Sequence, residues 1–326
     1  MHHRFIVVAI FVTAVLSISK CMKDERKSIR FDRHMGDNQH QKKKRMTYKK
    51  SPLKYPGGKS WMLPHLLPLI PESCTRVVEP FAGSAVFSLN VKQPTLTCDI
   101  NPDVIEVFLN LKADNVQARG AFMEWCTQHF KPEFNTAEQY YEMRTFFNDR
   151  THSAFQRAAA FVYLNRHGFN GLCRYNQSGG FNVPFGKYTN PKCPLEAMRE
   201  FSTESARMTF KAQGFEETLN AVREGDFIYM DPPYTALSKT SSFVGYHTGG
   251  FSQDQQERLA ERAHQIRGDR RNVTTVISNN ATEKMIEIYR DIYRADELLI
   301  VPARRRISCK VETRGDVNEV IAIWRS

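Results

Sequence analysis

The feature that most narrows the possible folds is an apolar run cut short by two prolines. Phe227-Ile228-Tyr229-Met230 is rich in strand-forming residues, and Asp231-Pro232-Pro233-Tyr234 follows without a break. Proline has no amide hydrogen to give a sheet ladder and locks its own φ, so a strand here must end by Asp231 and carry that residue at its tip. Similar short runs lie at 75–78, at 95–98 (leading into Asp99), at 273–277 and at 319–324. Helical patterns separate several of them, one opening at 85–89. Strands alternating with helices predict an α/β fold on a mostly parallel sheet. Such sheets bind ligands beyond the carboxyl ends of their strands, which is where the distinctive residues of this chain fall.

Val78-Glu79-Pro80-Phe81-Ala82-Gly83-Ser84-Ala85 reads as a strand, a small-residue turn and the start of a helix. That geometry lets backbone amides approach a nucleotide-like ligand closely. Asp99, twenty residues after Glu79, stands where an acidic side chain accepts hydrogen bonds from ribose hydroxyls. The full GxGxxG is absent, which disfavours a nicotinamide dinucleotide site. A generic turn with a capping Asp gives the same pattern, so the pair does not decide the matter alone. Upstream, Leu53-Lys54-Tyr55-Pro56-Gly57-Gly58-Lys59-Ser60 lacks P-loop spacing. Its Gly-Gly turn, with Tyr55 and two lysines, suits either a fold over a small ligand, with Lys59 near a ligand carboxylate, or a plain exposed turn.

Asp231-Pro232-Pro233-Tyr234 carries the chemistry. An exocyclic amino group on a base is a poor nucleophile because its lone pair is delocalised into the ring. The Asp231 carboxylate and the Pro232 carbonyl, held by stiff prolines, are suited to accept hydrogen bonds from its two protons and free that lone pair. Tyr234 offers a π-face on which an extruded base stacks.

Charge and cysteine usage bound the rest. The chain has 326 residues and a net charge of +11, but residues 1–50 hold 13 Lys and Arg against 4 Asp and Glu, leaving a body with 33 against 31. Any nucleic-acid contact made by the body must therefore use local basic patches. Residues 5–18 form a fourteen-residue apolar-leaning run, short for a membrane span and without a convincing cleavage site, so it is not expected to act as an export signal. A polar stretch with Lys42-Lys43-Lys44-Arg45 follows, read as a disordered basic extension over 1–50. Met22, Met35 and Met46 are alternative starts, with Met46 favoured. Seven scattered cysteines without a CxxC pair support neither a disulfide framework nor a zinc site, and no metal is expected.

In order, these motifs make the chain from about 51 to 324 resemble the Dam-type, class α adenine-N6 DNA methyltransferases (the D12 class). The matching segments are PLKYPGGK, EPFAGSA and DPPY, with two further blocks between them: Tyr163-Leu164-Asn165-Arg166-His167-Gly168-Phe169-Asn170-Gly171-Leu172-Cys173-Arg174-Tyr175-Asn176 and Phe181-Asn182-Val183-Pro184-Phe185-Gly186-Lys187-Tyr188. The resemblance implies a Rossmann-like methyltransferase sheet over 51–134 and 218–326, with a mainly helical target-recognition domain inserted at 135–217. It implies S-adenosyl-L-methionine as methyl donor, contacted by Tyr55, Lys59, Glu79, Phe81, Gly83, Asp99 and Asp231. Asp231, Pro232, Pro233 and Tyr234 are the implied catalytic motif. Lys54, Asn170, Leu172, Arg174, Lys187 and Tyr188 are the implied contacts to double-stranded DNA, with GATC as target and the adenine flipped from the helix. Arg304-Arg305-Arg306-Ile307-Ser308 is similar to a further family segment that reads as phosphate contacts or a solvated loop. The family's FxGxG becomes Phe81-Ala82-Gly83-Ser84-Ala85, which loses the second glycine. A monomer in the cytoplasm, away from membranes, is expected. The alternatives are cytosine N4 or RNA adenine as acceptor, or a catalytically silent DNA-binding relative. Asp at the first motif position favours adenine among the acceptors.

Overall fold

Each apolar run becomes a strand because it is buried on both faces. In this computed structural model, residues 29–31, 47–112, 114–234, 251–304 and 316–326 are described. Strands β1 (Ile29–Phe31), β2 (Arg76–Glu79), β3 (Thr95–Asp99), β4 (Met208–Ala212), β5 (Asp226–Met230), β6 (Thr274–Asn280), β7 (Glu297–Arg304) and β8 (Asp316–Arg325) form one sheet, in the order β1-β7-β8-β6-β5-β2-β3-β4. All pairings are parallel except those of β8, which runs antiparallel to both β6 and β7. Every residue of β3, β5 and β6 is buried, as expected of central strands covered on both sides.

Alternation along the strands sorts the two layers. Val77, Phe227, Tyr229, Val276 and Ile321 pack against Met62 and against Leu63 and Leu66 of α1 (Leu63–Leu66), with Phe87 of α2 (Val86–Asn90). Val78, Ile228, Met230 and Ile277 face Leu259, Ala263 and Ile266 of α9 (Gln253–Asp269) and Leu219 of α8 (Phe215–Asn220). From β2 the chain proceeds outward through β3 and β4, then returns to β5 on the other side of β2. The crevice at that reversal is the usual ligand position in open α/β sheets. Glu79 ends β2 there, and Asp231 follows the last residue of β5.

Helices α4 (Val116–Gln128), α5 (Ala137–Asn148), α6 (Ala154–His167) and α7 (Leu195–Glu204) lie between α3 (Pro102–Lys112) and β4. Helix α6 starts on a capping box, Ser153 with Gln156, and is buried continuously from Ala158 to Asn165. It is the core of this layer. Its Phe161 clusters with Phe147 of α5 and with Phe181, in one apolar core that continues into Val104, Ile105 and Phe108 of α3.

The insert is expected over 135–217. Helix α4 already packs on α6, and β4 already hydrogen-bonds to β3, so the helical layer spans 116–204 and shares its core with the sheet. Tyr48 packs on the sheet core, the Lys49 amide donates to Asn90 Oδ1 at 2.8 Å and the Lys49 ammonium lies 2.5 Å from Glu204. Within the stretch expected to lack structure, β1 pairs with the outer edge of β7. The apolar run at 5–18, the three alternative start methionines, the Lys42–Arg45 cluster and 305–308 lie outside the described residues. Among those described, no helix is long and apolar enough to cross a membrane.

Candidate active site

At the strand ends four side chains from three distant parts of the chain meet. The Lys59 ammonium, almost fully buried, lies 3.3 Å from Asp231 Oδ1 and 3.2 Å from Glu319 Oε2. It donates to the Tyr234 hydroxyl and sits 4.4 Å from the centre of that ring. The Tyr234 hydroxyl donates in turn to Glu319 Oε2 at 3.0 Å. Ser278 Oγ, on β6, donates to Asp231 Oδ1 at 3.1 Å. Two carboxylates thus share one buried cation, and that imbalance has a consequence. Burial, with Glu319 adding to it, pushes the Asp231 carboxyl up to about 6 in spite of Lys59. The Asp231 side chain still keeps 19% of its surface open, so a substrate can reach it.

The double proline is braced from behind. Gln256 of α9, fully buried, donates to the Pro233 carbonyl at 2.9 Å. Asn279 of β6 donates to Gln256 Oε1 at 2.9 Å and to the Tyr289 hydroxyl at 3.1 Å. Tyr289 lies in a π-helical turn, Ile288–Ile292, a form that recurs near functional sites. A satisfied buried polar network of this kind holds one backbone geometry.

The turn after β2 is built for close approach. The Gly83 amide donates to Asp99 Oδ2 at 2.8 Å and the Asn101 amide to Oδ1 at 2.8 Å. Gly83 has φ +49°, and a Cβ there would stand 2.8 Å from the Tyr55 ring, so only glycine lets Tyr55 lie on the turn. Ala85 adopts φ 56°, the left-handed conformation a glycine would take at no steric cost. Glu79 is brought to the site but turned inward: its Oε2 accepts from the Ser88 amide at 3.1 Å and from the Ser88 hydroxyl. Burial pushes its carboxyl up to about 8, with Asp231 and Asp99 adding to it. Phe81 stacks on Phe215 at 5.6 Å between centroids and meets Phe251 edge-on at 5.5 Å.

The residues read as DNA contacts form a second group. Asn165, buried on α6, clasps the Lys54 backbone from both sides: it accepts from the Lys54 amide at 2.8 Å and donates to its carbonyl at 2.7 Å. The Lys54 side chain then runs so close to Gly171 that a Cβ there would lie 2.7 Å from it, and its ammonium rests 4.7 Å from the centre of the Tyr188 ring. Lys54, Tyr188, Arg166 and Lys192 line a cavity of about 280 Å³. Asn170 (φ 53°) and Lys187 (φ 55°) are exposed in left-handed turns, and Leu172 is half-buried against the helical core. Arg174 Nε donates to Asn182 Oδ1 at 2.8 Å and Nη2 to the Asn182 carbonyl at 3.1 Å. A guanidinium has five donors, so this holds its plane and leaves donors for a further partner. The next residue, Tyr175, bridges the two groups: its hydroxyl donates to Asp103 Oδ2 at 2.9 Å and lies 3.2 Å from Asn101 Nδ2, beside Asp99.

Three expected sites thus come together around the Asp231 end of the sheet: the catalytic motif, Lys59, and the Gly83–Asp99 turn. Lys59 faces two protein carboxylates there. Glu319, Ser278 and Gln256 were missed from sequence. Glu319 did leave a signal, a single carboxylate in the otherwise apolar run Glu319-Val320-Ile321-Ala322-Ile323-Trp324, and charges in such runs are rarely buried unless paired.

The fold is an open, Rossmann-like α/β sheet with this constellation at the reversal of its strand order. A model of the D12 class N6 adenine-specific DNA methyltransferases matches residues 55–307, and the chain belongs to that family. It is similar to the DNA adenine methylase of Serratia marcescens, with 38% identity over 276 residues that cover 84% of this chain and 97% of that protein. It is also similar to the DNA adenine methylase of Vibrio cholerae O395, with 38% identity over 83% of this chain and 95% of that protein, and to that of Escherichia coli K12, with 35% identity over 84% and 94% respectively.

Proposed function

We propose that this protein transfers a methyl group from S-adenosyl-L-methionine to N6 of adenine in double-stranded DNA, within GATC, with the adenine turned out of the helix. The observation that carries the reading is Asp231 at the tip of β5, its Oδ1 held by Ser278 and Lys59 and its motif braced through Pro233 by Gln256. When bound, S-adenosyl-L-methionine supplies an electrophilic methyl carbon on a positively charged sulfur. The residues present fit such a ligand. Asp99 holds the Gly83 and Asn101 amides through its two oxygens, which sets its carboxylate at the tip of β3, where an acidic group accepts from ribose hydroxyls. Tyr55 lies on the Gly83 turn as a stacking face, and the carboxylate-rich mouth formed by Asp231 and Glu319 favours a cationic sulfur.

On the acceptor side, Asp231 Oδ2 and the Pro232 carbonyl accept hydrogen bonds from the two amino hydrogens, and one proton leaves the nitrogen as the methyl group passes to it from sulfur, the other staying on the product. This localises the nitrogen lone pair as the bond to carbon forms, an interaction stronger in the transition state than before it. The Tyr234 ring stacks on the flipped base, and its hydroxyl is tethered by Glu319. Orientation and exclusion of water provide the acceleration, since the leaving group already carries positive charge.

For the target, Arg174 reads a guanine edge through bidentate hydrogen bonds, and Leu172 offers an apolar contact to a thymine methyl. Lys54, Lys187, Asn170 and Tyr188 hold the backbone and the opened strand. The test is digestion of a plasmid propagated with this protein in a host lacking adenine methylation. A nuclease that needs methylated GATC should cut it, and one blocked by that methylation should not. The opposite digestion pattern, with N6-methyladenine found at other sequences, removes the GATC assignment and leaves the chemistry standing.

A further inference from the structure

We propose that Glu319 is a positioning residue for methyl transfer: it draws the Lys59 ammonium and the Tyr234 hydroxyl to itself, so that Asp231 keeps an unengaged carboxylate oxygen for the amino group. The inference rests on the N6-adenine reading above.

The geometry is specific. Lys59 Nζ lies within 3.4 Å of Glu319 Oε1 and 3.2 Å of Oε2, and Tyr234 donates to the same Oε2. Lys59 and Ser278 both reach Asp231 through Oδ1, and among the described residues neither is bonded to Oδ2. Glu319 sits on β8 between Asn280 of β6 and Val301 of β7, in the interior of the sheet, so its backbone is held on both sides. Its side chain reaches the cluster from a strand unrelated to the catalytic motif.

Without the Glu319 charge, Asp231 becomes the sole anion beside a buried ammonium. Removal of one partner from a buried ion cluster leaves the remaining charge to find another, and Lys59 then closes on Asp231. The carboxylate that must accept a proton from a weak nucleophile becomes a full ion-pair partner and a poorer acceptor. The Tyr234 hydroxyl, which donates to Glu319 Oε2, is left with a neutral and weaker acceptor, and the restraint on the ring that stacks the base loosens.

The titratable groups facing Asp231 are Lys59 from the segment before α1, Glu79 at the end of β2, Tyr229 within β5, Tyr234 after it, Tyr289 from the π-helical turn and Glu319 from β8. Of these, Glu319 is the anion that adds directly to the upward displacement of Asp231 after burial, and Lys59 opposes it. Replacement by a neutral isostere therefore lowers the Asp231 midpoint. A bracing role through shape alone does not.

The experiment compares Glu319→Gln and Glu319→Asp with the wild type. Aspartate labelled with ¹³C at Cγ reports the Asp231 titration by NMR, the signal being assigned by its loss in Asp231→Asn. The midpoint should fall in Glu319→Gln and stay at the wild-type value in Glu319→Asp, which keeps the charge one methylene shorter. In steady-state methylation of duplex DNA, Glu319→Gln should lose on the order of 10- to 100-fold in kcat, as expected for a misplaced catalytic group. KM for DNA should change little, and the acid limb of kcat should move to lower pH. An unmoved midpoint in Glu319→Gln, or one equally lowered in Glu319→Asp, overturns the assignment, as does a wild-type kcat in Glu319→Gln. If the wild type transfers no methyl to adenine, the functional reading fails, and the NMR midpoints still decide whether Glu319 sets the state of Asp231.

Discussion

Asp231 joins a demanding environment to a demanding task, and its ionisation makes both visible. Its carboxyl sits up to about 6 because burial penalises the anion more than Lys59 rewards it. Methyl transfer needs the anion as acceptor, so kcat/KM should fall as pH drops through about 6, with activity retained above it. A pH-rate profile on unmethylated duplex checks this, and a flat profile from pH 5 to 8 contradicts it. Asp231→Ala should cost on the order of a hundredfold or more in kcat while DNA binding through the insert persists. Glu79 makes the complementary case. Its folded value of about 8 stands above the ordinary 4.5, so the folded state holds an extra proton between those limits, and wild-type stability falls as pH rises through that window. Glu79→Gln keeps an acceptor for Ser88 and has no proton to lose. Thermal melting of the variant should match the wild type at pH 5 and exceed it above pH 8. A larger deficit at pH 8 than at pH 5 reverses the assignment.

At the scale of elements, the helical layer is tied to the segment before the sheet by one side chain. Asn165 satisfies both backbone groups of Lys54, and Asn165→Leu strands them. Urea unfolding should show a loss on the order of 2 kcal/mol, and DNA affinity should weaken because Lys54 no longer lies against Tyr188. On the same layer, Arg174→Ala should cost about 1–3 kcal/mol of discrimination at one base pair. Lys187→Ala should instead weaken binding to all sequences and flatten its salt dependence. Competition binding across single-base variants of the target, at two salt concentrations, separates the two effects.

The elements were unevenly legible. β2, β3, β5, β6 and β8 announced themselves as apolar runs because the sheet buries them on both faces or carries them at its centre. β4, Met208-Thr209-Phe210-Lys211-Ala212, was not read as a strand: it lies at the edge, with Thr209 and Lys211 exposed. β7 carries Pro302, a residue that argues against a strand from sequence alone. The Asp231 motif and Asp99 were legible because each ends an apolar run. Glu319 and Gln256 were not, since their role depends on strands and a helix brought alongside from far along the chain.

The whole molecule explains why sheet and helical layer act together. The insert has no core of its own: Phe147, Phe161 and Phe181 pack in the same cluster as α3, which follows directly on Asp99 and Asn101. Tyr175, one residue from Arg174, hydrogen-bonds Asp103 at the start of that helix. Through α3, the turn that carries Arg174 is thus joined to the Gly83–Asp99 turn. Charge does not distribute in the same way. The excess is +9 in residues 1–50 against +2 in the rest, and within the body Lys54, Arg166 and Lys192 gather around one cavity.

The central claim is that the Asp231 site methylates the amino group of adenine, and nucleoside analysis tests it most directly. Purified protein is incubated with duplex DNA and S-adenosyl-L-methionine carrying a labelled methyl group, and the DNA is then digested to nucleosides and resolved by mass spectrometry. The account predicts the label in N6-methyldeoxyadenosine alone, and its loss in Asp231→Ala. Label in N4-methyldeoxycytidine, or undiminished N6-methyldeoxyadenosine in Asp231→Ala, would contradict it.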